Sequence, residues 1–123
     1  MKLKILASKY QVLKLNPNQE LLQDIFNKEF YSITKTEEEI SIVADNEINI
    51  QSDNVEKNWK IIKIEGVLDF SLIGILSKIS EVLADNNISI FVVSTYNTDY
   101  ILVKEDNIDK AKEVLINNHY HFE

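Results

Sequence analysis

One stretch constrains the fold of this chain more than any other. From Leu72 to Leu83 the residues Leu72, Ile75, Leu76, Ile79, Val82 and Leu83 fall at i, i+3, i+4, i+7, i+10 and i+11, a single helical stripe that must be buried along its length. The spacing predicts a helix over 71–85, with Asp69 or Ser71 as the N-cap and Asn86-Asn87 as the stop. Immediately afterwards the period changes. Ile88 to Thr95 is a nearly unbroken β-branched run, the composition of a strand covered on at least one face. Trp59 to Glu65 reads as a strand before the helix, ended by Gly66. Downstream, Tyr96-Asn97-Thr98-Asp99 turns the chain into a second strand over 100–104. A helix follows over 107–117, capped by Asp106 or Asn107 and buried through Ile108, Ala111 and Leu115. A short strand over 119–122 closes the order βαββαβ.

The first half is a looser copy of that order. Strand signals cover 2–7 and 10–15, and Asn16-Pro17 has the form of an N-cap followed by proline at the first helical position. Leu21, Leu22, Ile25 and Phe26 would be that helix's stripe. Strands over 30–34 and 40–44 form a hairpin around Glu37-Glu38-Glu39, which reads as a solvated tip. Residues 45–58 are polar and read as a linker with one turn near 47–50. The division expected is therefore 1–55 and 56–123. Only two glycines and one proline occur, so asparagine carries much of the turn work.

Composition narrows the function. With 20 acidic and 13 basic residues the net charge is −7, and every base is lysine. Without arginine the chain has no guanidinium to clamp a phosphate or stack on a base. That, with the net negative charge, argues against nucleic acid as a partner. Cysteine is absent, which excludes thiolate catalysis and zinc-thiolate sites. No apolar run approaches the length that spans a bilayer, and the apolar run after Met1 is too short for a signal peptide, so a cytoplasmic protein away from membranes is expected. There is no nucleophile-plus-base arrangement, glycine-rich phosphate loop or metal-ligand cluster, so neither enzyme activity nor a cofactor is expected. His119, His121 and Glu123 at alternate positions of the closing strand read as a solvated strand end.

Two elements within 66–104 carry more specific information: Gly-Val-Leu-Asp-Phe-Ser-Leu-Ile-Gly-Ile-Leu from Gly66, and Ser-Thr-Tyr-Asn-Thr-Asp-Tyr-Ile-Leu-Val from Ser94. In this order and separation they resemble ACT domains. They are most similar to small paired-ACT proteins related to the aspartokinase regulatory region and the CASTOR-type arginine sensor. The resemblance implies a ferredoxin-like α/β (α+β) fold of two ACT-type units, with antiparallel sheets and helices on one face. The N-terminal half fits the first, degenerate unit in outline.

The resemblance also implies a free amino acid as ligand, bound at the junction of the units. Asp69, Phe70, Ser71 and Gly74 would bring helix N–H groups to its carboxylate. Ser94, Thr95 and Tyr96 would supply backbone groups and an aromatic wall, and Asp99 a counter-charge. On the residues alone, Asp69 reads equally as an N-cap and Asp99 as a turn residue bonded to its own backbone. Gly74, placed inside the predicted helix, would serve either ligand approach or close packing on the sheet. The edge strands and exposed face of such small units imply a homodimer, and a regulatory module implies a regulated partner protein. A module that only oligomerises or binds a partner, its pocket lost, is the alternative.

Overall fold

The computed structural model describes residues 1–66 and 73–123, and divides into two compact units, one of Met1–Ala7 with Lys60–Glu123 and the other of Ser8–Trp59. Eight strands and two α-helices lie among the described residues: β1 (Lys2–Ile5), β2 (Tyr10–Leu15), β3 (Ser32–Lys35), β4 (Ile40–Asp45), β5 (Asn54–Ile64), α1 (Ile75–Asp85), β6 (Ile90–Ser94), β7 (Asp99–Lys104), α2 (Ile108–Asn117) and β8 (His121–Phe122). From β5 to β8 the order is βαββαβ, the mixed α/β, ferredoxin-like arrangement.

In the unit of Met1–Ala7 and Lys60–Glu123, β1 runs antiparallel to β5, with Leu3 opposite Ile64, and parallel to β8. The hairpin β6–β7 joins β5 through β7. Alternation along the strands puts Leu3, Ile62, Ile64, Ile101 and Val103 on one face, where they meet Ile79 and Leu83 of α1 and Ala111 and Leu115 of α2. Each leucine, isoleucine or valine among them contributes about 1.5–3 kcal/mol by leaving water. The pairing of β1 explains why residues 1–7 group with the C-terminal segment and not with 8–55.

Both helices end by one device. Asn86 and Asn118 each donate a side-chain amide to the carbonyl four residues back. Asn87 (φ 60°) and His119 (φ 73°) then turn left-handed. The N–H groups of Ile88 and Tyr120 reach back to the carbonyls of Leu83 and Leu115, the 6→1 closure that satisfies a helix end. His119 is thus a helix terminator, and the expected alternating row with His121 does not form.

In the unit of Ser8–Trp59, β2 is flanked by β4 and by the first residues of β5, and β3 pairs with β4. Its core is Leu13, Leu15, Ile25, Ile40, Ile42, Ala44, Ile48 and Ile50. The helix expected after Asn16-Pro17 does not form. Only a single 3-10 helix, Gln23–Asn27, covers this sheet, and it buries Ile25. Four apolar residues in one turn and a half are too few to carry a helix that propensity alone leaves marginal. The supposed linker over 45–58 is also partly strand, since β5 begins at Asn54. An extra residue in β5 makes a bulge opposite Tyr10–Val12, where Asn58 takes φ 66° and exchanges hydrogen bonds with Asn46. Gln11, 1% exposed, donates its amide to the carbonyls of Asp45 (2.9 Å) and Ile48 (2.7 Å). This fixes the chain after β4.

Candidate functional site

Four of the residues singled out by sequence, Ser94, Thr95, Tyr96 and Asp99, gather at the β6–β7 hairpin. Ser94 ends β6 and Asp99 opens β7 directly opposite it, and the Ser94 hydroxyl donates to Asp99 Oδ1. Thr95 donates its N–H to the Thr98 carbonyl at 2.8 Å and its hydroxyl to the same oxygen at 3.1 Å. In return the Thr98 N–H donates to Thr95 Oγ1 at 3.3 Å. The two-residue tip, Tyr96-Asn97, is thereby closed, and Tyr96 stands 80% exposed on it.

Sequence reasoning missed Thr98. It is 4% exposed and its hydroxyl donates to the Ile64 carbonyl at 2.7 Å, tying the hairpin to β5 and so fixing where Asp99 stands. The only signal for it was a threonine pair, Thr95 and Thr98, flanking a two-residue tip. Asp99 itself is half-buried. A carboxylate that accepts one hydroxyl keeps acceptor capacity for a ligand cation.

Gly74 is the N-cap of α1, with φ 83°, and this corrects its placement inside the helix. Among the described residues nothing lies within 4 Å of where a Cβ would stand. Close packing against the described residues therefore does not require the glycine. The left-handed backbone does. The ladder of α1 starts with Lys78 N–H on the Gly74 carbonyl at 3.0 Å, so the N–H groups the helix itself cannot satisfy are those of residues 74–77, later than expected. Ile73, just before the cap, is 90% exposed. Asp69, Phe70 and Ser71 lie outside the described residues. The structure thus brings Ser94, Thr95, Tyr96 and Asp99 into one hairpin end and gives Gly74 a helix start.

Nothing among the described residues groups three or more histidine, cysteine or carboxylate side chains as a metal site, and no helix there is long and apolar enough to cross a membrane.

A helix-capped βαββαβ unit with its polar residues at a hairpin mouth defines a class, and sequence comparison confirms it. The chain belongs to the ACT domain family, whose sequence model matches residues 54–117. A second family model, of an N-terminal domain, matches residues 8–53. The human cytosolic arginine sensor for mTORC1 subunit 1 is 34% identical over 94 residues, which are 70% of this chain and 29% of that protein. The chain thus spans under a third of the length of these curated relatives. Human CASTOR3P is 32% identical over 117 residues, covering 81% of this chain and 72% of that one. Among solved structures, a protein from Agrobacterium tumefaciens superposes with a TM-score of 0.89 at 32% identity, covering 99% of this chain and 91% of the other. Aspartokinase III of E. coli, solved with aspartate and ADP, shares the fold, with a TM-score of 0.64 at 16% identity over 94% of this chain and 32% of the enzyme.

Proposed function

We propose that the chain is a non-catalytic regulatory module that binds a free amino acid in its ACT unit. The observation that carries the reading is the Ser94–Asp99 pair at the hairpin mouth, in a chain 34% identical to proteins named as arginine sensors. A free amino acid needs N–H donors for its carboxylate and an acceptor for its cation. The start of α1, with Asp69, Phe70, Ser71 and Gly74 ahead of it, supplies the donors in this reading. Asp99 offsets the positive charge, Ser94 holds that carboxylate in place, and Thr95 and Tyr96 line the side-chain end. The module works in the cytosol as a homodimer and passes ligand occupancy to a regulated partner protein, with neither nucleic acid nor membrane involved.

Titration of the twenty amino acids, followed by Trp59 fluorescence and melting temperature, tests this. Binding that Asp99→Ala weakens about 10- to 150-fold, or roughly 1.5–3 kcal/mol for a charge-assisted hydrogen bond, is the expected result. A cationic ligand would align the chain with the arginine sensors, an acidic one with aspartokinase. No response to any amino acid at millimolar concentration would leave the alternative, a partner-binding module. The exposed Ile73 and Tyr96 favour that second reading.

A further inference from the structure

The unit of Ser8–Trp59 carries an opening of its own, remote in sequence from the ACT hairpin. Where β2 ends and β5 begins, a cavity of about 250 Å³ is lined by Lys14 and Asp53 together with the amide side chains of Asn16, Gln19 and Gln51. Leu15, Gln19 and Gln51 also line a second chamber of about 200 Å³, whose remaining wall includes Leu22, Ile25 and Ile50. The two chambers therefore share a wall, the first polar and of mixed charge, the second aliphatic on one side and lined on the other by Glu20, Asn49 and the two glutamines.

Three features make this more than a dent in a wet surface. Its frame is fixed: Lys14 and Asn54 are ladder partners, and the Ser52 hydroxyl donates to the Lys14 carbonyl while accepting the Asn54 N–H. Its aliphatic side is core, since Leu15, Ile25 and Ile50 all belong to the buried cluster of this unit. Its charges are uncommitted, because Lys14 and Asp53 form no ion pair with each other or with any other described residue. An ammonium and a carboxylate that share a cavity without pairing match the two ends of a zwitterion. The aliphatic side of the adjoining chamber matches a branched apolar tail.

We infer that this cavity is a second small-molecule site, separate from the ACT hairpin, for an amino acid with an apolar side chain. Asp53 receives the ligand's ammonium, Lys14 receives its carboxylate, the surrounding amides complete the polar contacts, and the side chain enters the chamber formed by Leu15, Leu22, Ile25 and Ile50. Each chamber is smaller than the roughly 300–1,000 Å³ typical of drug-sized ligands, as a metabolite of this size requires.

Calorimetric titration of the full chain with L-leucine tests the inference, using N-acetyl-leucine, leucinamide and glycine as probes that lack the cation, the anion and the tail. L-Leucine should bind, and each of the three probes at least tenfold more weakly. Lys14→Met and Asp53→Asn should each cost tenfold or more, a size typical of charged hydrogen bonds, while Asp99→Ala leaves leucine binding unchanged. Both replaced residues are exposed, and unchanged circular dichroism and melting temperature would show that the variants fold. Absence of leucine binding at millimolar concentration overturns the inference. So does leucine binding that survives both variants, or that falls only with Asp99→Ala, in which case the ACT hairpin is the leucine site and the function proposed for it stands.

Discussion

The two units solve the same problem, covering one face of a small sheet, with unequal means. In Met1–Ala7 with Lys60–Glu123, two α-helices of 11 and 10 residues bring Ile79, Leu83, Ala111 and Leu115 onto the strands. In Ser8–Trp59 a five-residue 3-10 helix brings Ile25, and loop residues Ile48 and Ile50 complete the layer. What a sheet needs is apolar cover. A helix is one way to supply it, and a tied-down loop is another, provided its backbone is satisfied. In the second unit that satisfaction comes from Gln11, which does for two carbonyls from a side chain what a helix does with its own N–H groups.

The comparison can be broken first at the covering residues. Leu83→Ala should cost roughly 3–5 kcal/mol, because helix-borne neighbours cannot collapse into the space. Ile25→Ala, in a short turn that can settle, should cost about 2–3 kcal/mol. Urea unfolding of both variants measures the difference, and equal losses would mean the loop is as rigid as the helices. Next in size, Gln11→Leu removes the donor to two buried carbonyls and should cost about 1–3 kcal/mol. Hydrogen exchange over residues 45–50 should rise, with the helices of the other unit unaffected.

Smaller effects sharpen the contrast. His119→Gly relieves a left-handed backbone at the end of α2 and should add at most about 1 kcal/mol. Asn58→Gly, at a similar φ in the other unit, should add nothing, because it also loses the hydrogen bond that the Asn46 amide donates to the Asn58 side chain. Differential scanning calorimetry distinguishes the two. The smallest effect is at high pH. Burial raises the Tyr10 phenol above its usual value, with Asp45 and Glu29 adding to the rise and the Ser8 hydrogen bond opposing it. A raised folded value means the phenol's contribution is intact below about pH 10, its unfolded value, and is lost as pH climbs through the folded one. Melting temperature followed from pH 8 to 11 should fall more steeply for the parent chain than for Tyr10→Phe.

Legibility followed the same division. In the ACT unit each element was signalled by residues that do one thing. Five of the six residues of the stripe, Ile75 to Leu83, lie on α1, Leu72 falling outside the described residues, and Asn86-Asn87 marks the end. The start of α1 was misjudged because Gly74 read as a helix interior residue when its left-handed backbone makes it the cap. Around Ser8–Trp59 the signals were ambiguous in kind. Leu21, Leu22, Ile25 and Phe26 fit one helical turn as well as they fit a 3-10 turn. The polar run Asn54–Asn58 carries little strand propensity, and it is a strand because β2 lies beside it. The hairpin site was legible as far as Ser94 and Asp99, whose types announce their chemistry. Thr98 was not, since its role depends on a carbonyl 34 residues away.

The pairing of β1 with the end of β5 sets an order of events during synthesis. Residues 1–7 are made before Ser8–Trp59, yet their partners Ile62 to Ile64 and then His121 and Phe122 arrive only after the whole of that unit has been made. A strand made before the intervening unit is thus paired only after it. The intervening unit, whose strand pairs lie closer in sequence than β1 and β5, can form while that strand waits, because nearby contacts close faster than distant ones. A gene cut after codon 55 would strand β1 on the wrong fragment. A rearranged gene that places codons 1–7 after codon 123 would keep the ACT unit whole only through a linker long enough to cross back, since β8 and β1 run parallel.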